Sequence, residues 1–157
     1  MRSEAAEPRR DPRGTAPVSG GRLRAALDAL PDAVWLLDAV RDEAGVIRDF
    51  RVADLNLRAA RVAGTTVEAA RGSLLGDLVA TARRSGHIER WAEVVETGVP
   101  GELEFRYDPP DGPPVWRWAS ATPLGDGVAL ALRDVTERVL AERRRAAPEA
   151  DFRLLAE

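Results

Sequence analysis

The chain has 157 residues, a formal charge of −3, one histidine and no cysteine, which allows a single domain of roughly 100–120 residues with tails. The near-balanced charge, with arginines dispersed among acids and no basic stripe, argues against a nucleic-acid binder, and the missing thiols exclude disulfides, thiolate metal sites and cysteine chemistry. No apolar run approaches the roughly 20 residues that span a bilayer, and the N-terminus carries no apolar signal core, so a cytoplasmic chain without a membrane partner is expected.

Residues 1–21 are rich in Pro, Gly, Arg and Glu with almost no large apolar side chain, so they cannot bury enough surface to offset ordering entropy and read as a disordered leader. An amphipathic helix is predicted over 22–30 from Leu23, Ala26, Leu27 and Leu30, with Pro31 ending it. The apolar run 33–40 reads as a buried strand, Asp42-Glu43-Ala44-Gly45 as a turn, and 46–55 as the hairpin partner with Phe50 and Val52 on one face. Asn56 is placed to cap a helix over 57–63 that ends at Gly64, and Thr65 or Thr66 to cap a short one over 67–70. Leu74, Leu75, Leu78 and Val79 supply a further apolar stripe, followed by a longer helix over 86–97 that buries Ile88, Trp91, Val94 and Val95 before Gly98-Val99-Pro100 stops it.

Three strands close the chain. Leu103, Phe105 and Tyr107 alternate with Glu102, Glu104 and Arg106, giving a strand with one wet face. After a proline-rich loop, 115–122 places Trp116 and Trp118 on one face and Ala119 and Ala121 on the other, and Gly125-Asp126-Gly127 turns the chain into a strand over 128–133. Asp134-Val135-Thr136-Glu137 then passes from strand to helix; Asp and Thr both suit the orphan N–H groups of a helix start, and the helix is expected over 136–147, ending before Pro148.

The element order is helix, two strands, several short helices, three strands, helix. It predicts an α+β domain in which a five-stranded antiparallel sheet packs one face on a helical layer inserted between the second and third strands. That order over residues 23–145, the Asn56-capped helix after the second strand and the Asp134-Val135-Thr136-Glu137 exit together resemble the PAS family of sensory domains in bacterial signalling proteins. The resemblance implies an inner sheet face that encloses a small cavity, which holds haem, flavin or a metabolite in some members. It also implies homodimer contacts through the N-terminal helix and the outer sheet face. A leader over 1–21, a PAS-like domain over 22–135 and a signalling helix or linker over 136–157 are the expected divisions. The resemblance further implies that the C-terminal helix couples to an output domain or partner signalling protein, with Asp134 and Thr136 as the relay. Asp151 to Glu157 reads equally as the first helix of a further such domain and as a frayed tail.

Candidate ligand contacts are Asn56, Trp91, Tyr107 and Trp116, each weighed against simple core filling. His87 stands roughly where haem-binding relatives place their iron ligand, but its neighbours Arg84, Glu89 and Arg90 favour a partly exposed helix-terminal histidine over a haem wall. Cysteine-adduct flavin chemistry is excluded by composition. No catalytic constellation emerges: Glu102 and Glu104 share a wet strand face, the glycine pairs lack nucleotide-loop spacing, and no serine has a G-x-S-x-G context. The expected function is a regulatory module that binds a small ligand or dimerises and relays a signal. The alternative is a ligand-free protein–protein docking domain.

Overall fold

The computed structural model describes residues 19–155, with side-chain surroundings described through residue 147. The leader expected over 1–21 lies outside the described residues as far as residue 18. Its last residues belong to the first helix, Gly20–Ala29 (α1), because the Ser19 hydroxyl accepts the Arg22 N–H and caps the helix ahead of its apolar periodicity.

A hairpin follows, Ala33–Arg41 (β1) and Ile47–Leu55 (β2). The short helices are Leu57–Val62 (α2), Val67–Ala70 (α3), Leu75–Leu78 (α4) and Ala80–Arg84 (α5), and the longer His87–Thr97 (α6) closes the layer. Asn56 caps α2 and Thr66 caps α3 through their side-chain oxygens, and Gly98, at φ 68°, ends α6 in the left-handed conformation that glycine tolerates. The strands Gly101–Tyr107 (β3), Val115–Pro123 (β4) and Gly127–Asp134 (β5) complete an antiparallel sheet of order β2-β1-β5-β4-β3.

Alternation along the strands decides what each sheet face carries. Ala33, Trp35 and Leu37 of β1, Ala119 and Ala121 of β4, and Val128 and Leu130 of β5 are buried on the inner face, against α6 and the short helices. With Phe50, Val52 and Leu55 of β2 and Ile88, Trp91 and Val94 of α6 they form one core. Fully burying side chains of this size stabilises by about 1.5–3 kcal/mol each. The backbones of β1 and β5 approach closely at one end: a Cβ on Gly127 would come within 1.9 Å of the Leu37 carbonyl oxygen, so only glycine fits where β5 starts alongside β1.

The outer face carries Val34 and Leu36, Trp116 and Trp118, and Ala129 and Ala131, all half-buried. The helix predicted as amphipathic, α1, buries none of its own residues, and Leu23 and Leu30 stay exposed. Polar contacts hold it instead: Arg24 pairs with Asp54 and donates to the Leu55 carbonyl, and Asp28 accepts the Leu57 N–H. The last helix also departs from expectation. It runs as one α-helix, Thr136–Leu155 (α7), through Pro148. Proline removes one N–H donor from such a helix, and the run Ala141-Glu142-Arg143-Arg144-Arg145-Ala146-Ala147 ahead of it is made of strong helix formers.

Candidate functional site

A cavity of about 90 Å³ lies between the inner sheet face and the helical layer. Strand alternation brings Trp35 of β1, Phe105 and Tyr107 of β3, Arg117 and Ala119 of β4, and Leu130 and Leu132 of β5 to its sheet wall. On the helical side α6 contributes His87 and Trp91, four residues apart and so on one helix face, beside Leu75, Val79 and Ala82. Two small residues on opposite walls, Ala82 and Ala119, leave room that larger side chains would occupy.

The walls are mainly apolar and aromatic, with polar groups at Thr81, His87 and Tyr107 and one permanently charged side chain, Arg117. Its guanidinium lies 5.2 Å from the centroid of the Tyr107 ring, a cation–π distance. Its buried Nε has no hydrogen-bond acceptor among the described residues. Burial weakens its hold on the proton, with the Asp134 carboxylate and Tyr107 opposing that loss. Arg117 escaped the sequence reading, although a signal existed. The parity that puts Ala119 and Ala121 opposite Trp116 and Trp118 also turns residue 117 inward, and an inward arginine in a half-buried strand needs a reason.

The sequence candidates divide between cavity and scaffold. Trp91, Tyr107 and His87 line the cavity. The His87 imidazole lies 4.4 Å from Phe105 and 6.4 Å from Trp91, centroid to centroid, and burial pushes its pKa below the ordinary 6.5. Its polar neighbours Arg84, Glu89 and Arg90 are exposed, so the polar surroundings expected from adjacency in sequence are not those of the ring.

Asn56 and Trp116 are elsewhere. Asn56 is fully buried where α1, β1 and α2 meet: its Oδ1 accepts the Val34 and Ala59 N–H groups at 3.0 and 2.9 Å, and its Nδ2 donates to the Leu27 and Asp32 carbonyls, each at 2.9 Å. All its hydrogen-bonding capacity is used in joining those elements. Trp116 projects from the opposite sheet face, where the Arg143 guanidinium of α7 sits 4.6 Å from its ring centroid.

The same tryptophan holds the start of α7 through its backbone. Its N–H donates to the Thr136 hydroxyl at 2.9 Å and its carbonyl accepts the Val135 N–H at 2.8 Å. The Asp134 carboxylate accepts the Thr136 N–H at 2.9 Å, satisfying one orphan donor of the helix. Further along, Arg138 pairs with Glu104 on β3, and Val139 is buried in an element that packs on β4.

This architecture has known counterparts. The family model described as PAS fold matches residues 27–140, well over half the chain. The chain belongs to the PAS family. No curated protein matches it. Among solved structures, the PAS domain here is similar to an RNA-binding light-oxygen-voltage receptor, at 21% identity and a TM-score of 0.57 over 89% of this chain and 42% of that one. It is also similar to VqmA of Vibrio cholerae, described as a LuxR-type receptor, at 17% identity and a TM-score of 0.54 over 77% and 53% of the respective chains. A third is a domain of a sensory box sensor histidine kinase/response regulator from Geobacter sulfurreducens, at 20% identity and a TM-score of 0.50 over 71% and 90%. At these identities the likeness shows the fold.

The large cofactors held by some PAS domains do not fit this cavity. A cavity of about 150 Å³ accommodates benzene, and the 90 Å³ here is smaller, far below the space that a haem macrocycle or a flavin ring system fills.

Proposed function

We propose that this PAS domain is a sensory relay, in which a small molecule in the inner cavity alters the packing of β4 and β5 and the exit helix carries that change to an output domain or partner protein. The observation behind this reading is the adjacency of Trp116 and Arg117. Arg117 lines the cavity while Trp116, the next residue on the same strand, bonds through its backbone to the first turn of α7. Successive strand residues face opposite sides of the sheet, so a displacement of one moves the other. A ligand that binds one arrangement of this junction better than another shifts the population between them.

In this reading residues 22–135 form the sensing unit and 136–157 the connection to an output, in a cytoplasmic protein. The sensing unit regulates and does not catalyse. The half-buried outer face, with Val34, Leu36, Ala129 and Ala131 side by side across β1 and β5, favours self-association as a second role, and a homodimer would cover it. A docking module without a ligand would use the same face.

Native mass spectrometry set against the denatured mass separates these roles. Excess mass per subunit supports the sensory reading, whereas bare subunits at the dimer position, unchanged across small-molecule additions, favour docking.

A further inference from the structure

We infer that the cavity takes a small organic anion, a short-chain monocarboxylate, with Arg117 as the group that grips its carboxylate. The inference rests on the reading of the cavity as a ligand site and adds the chemistry of the ligand.

Three observations carry it. The first is the uncompensated cation. Elsewhere on the domain arginines meet carboxylates, as Arg41 does with Glu96 and Asp126, Arg133 with Asp32, and Arg138 with Glu104. Arg117 forms no such pair among the described residues, and its buried Nε has no acceptor. The nearest acidic influence, Asp134, has one carboxylate oxygen engaged by the Thr136 N–H. A half-buried guanidinium whose Nε is shut off from solvent without an acceptor is costly, and a ligand carboxylate would satisfy it through charge-assisted, fork-shaped hydrogen bonding.

The second is the wall opposite the charge. Beside Trp35, Trp91, Phe105 and Leu130 the lining holds no carboxylate and no second arginine, and its other polar groups are only Thr81, His87 and Tyr107, so the rest of the ligand must be largely apolar. An inorganic anion such as sulfate would leave these walls unused. The third is size: about 90 Å³, below the roughly 150 Å³ that holds the six carbons of benzene, limits the apolar tail inside it to a few carbons. A carboxylate with a tail of a few carbons meets all three conditions.

The guanidinium position adds a consequence. Arg117 pairs directly across from Asp134 in the β4–β5 ladder. An anion that takes up the charge of Arg117 would change the field at the carboxylate that caps α7, which links this ligand chemistry to the exit helix.

The test titrates the full chain with butyrate and with its neutral isostere butyramide, following the side-chain N–H resonances of Arg117 and Trp91. Butyrate is expected to bind at least about tenfold more tightly, since charged hydrogen bonds are roughly twice as strong as neutral ones. Arg117→Gln is expected to abolish that preference while leaving the thermal midpoint equal or higher, because it removes a half-buried charge that has no ion-pair partner among the described residues. Equal binding of the two compounds would overturn the anion inference and leave the cavity-ligand reading standing. So would a butyrate preference that survives Arg117→Gln. Binding of neither compound would also overturn it, and a native mass free of excess in the same sample would then count against the cavity reading itself. The butyrate and butyramide comparison in the parent chain decides the matter even if the variant fails to fold.

Discussion

Asn56 is a single side chain on which three elements depend. Its carboxamide satisfies two N–H groups and two carbonyls in a site without solvent, and each buried group left without a partner costs about 1–3 kcal/mol. Asn56→Ala should therefore destabilise the domain by at least about 3 kcal/mol. Asn56→Asp should cost as much or more, since it keeps the acceptors but turns a second oxygen toward the Leu27 and Asp32 carbonyls. Chemical denaturation at constant slope measures both, and a loss under about 1 kcal/mol for either would show that the site tolerates water. The capping role of Asn56 was legible in the sequence, because an asparagine directly before an apolar-periodic run is a local signal. Its separation from the cavity was not, because the carbonyls of Leu27 and Asp32 reach it from well before it in the chain. Arg117 illustrates the opposite case: strand parity was enough to turn it inward, but what it meets there depends on Tyr107 and on the absence of an acid, both set by tertiary packing.

Strands β4 and β5 and helix α7 form one mechanical unit in which Asp134 and Thr136 are the fasteners. Removing both, as Asp134→Ala with Thr136→Ala, frees the Thr136 N–H and breaks the hydroxyl contact to Trp116, while leaving the inner core untouched. The double variant should retain a cooperative melt and lose the regulation of a fused output domain; normal regulation would contradict the relay. The strands themselves were readable in order and nearly to the residue, because a period of two and glycine-rich turns are short-range features. The two terminal helices were less so. Ser19 lies outside the apolar stripe that announced α1, and Leu23 and Leu30 of that stripe remain exposed because polar bonds from Arg24, Asp28 and Asn56 seat the helix. Pro148 looked like a stop, because an interior proline removes a donor and crowds the carbonyl four residues before it, yet α7 continues past it to Leu155.

Across the domain, the sheet separates two environments that serve different purposes. The inner face pairs small residues, Ala82 and Ala119, with an aromatic wall and one cation, and so encloses a ligand-sized space. The outer face combines half-buried apolar residues with α7, which packs on β4, and in the proposed function a second copy of the chain would cover it. The α+β architecture and the family were visible from element order, since PAS domains are defined by a succession of elements more than by any one motif. The resemblance implied a cavity at the inner face but not its size or its charged wall, because its volume arises from the register that brings Ala119 opposite both Leu103 and Leu132. The central claim is that occupancy inside is felt at the start of α7, and xenon, which enters apolar cavities without regard to ligand charge, tests it most directly. Amide and indole resonances would be followed as xenon pressure rises. The account predicts that Trp91 and Leu130 shift and that the Val135 and Thr136 amides shift with the same pressure midpoint. Cavity resonances that respond while Val135 and Thr136 stay fixed would contradict it.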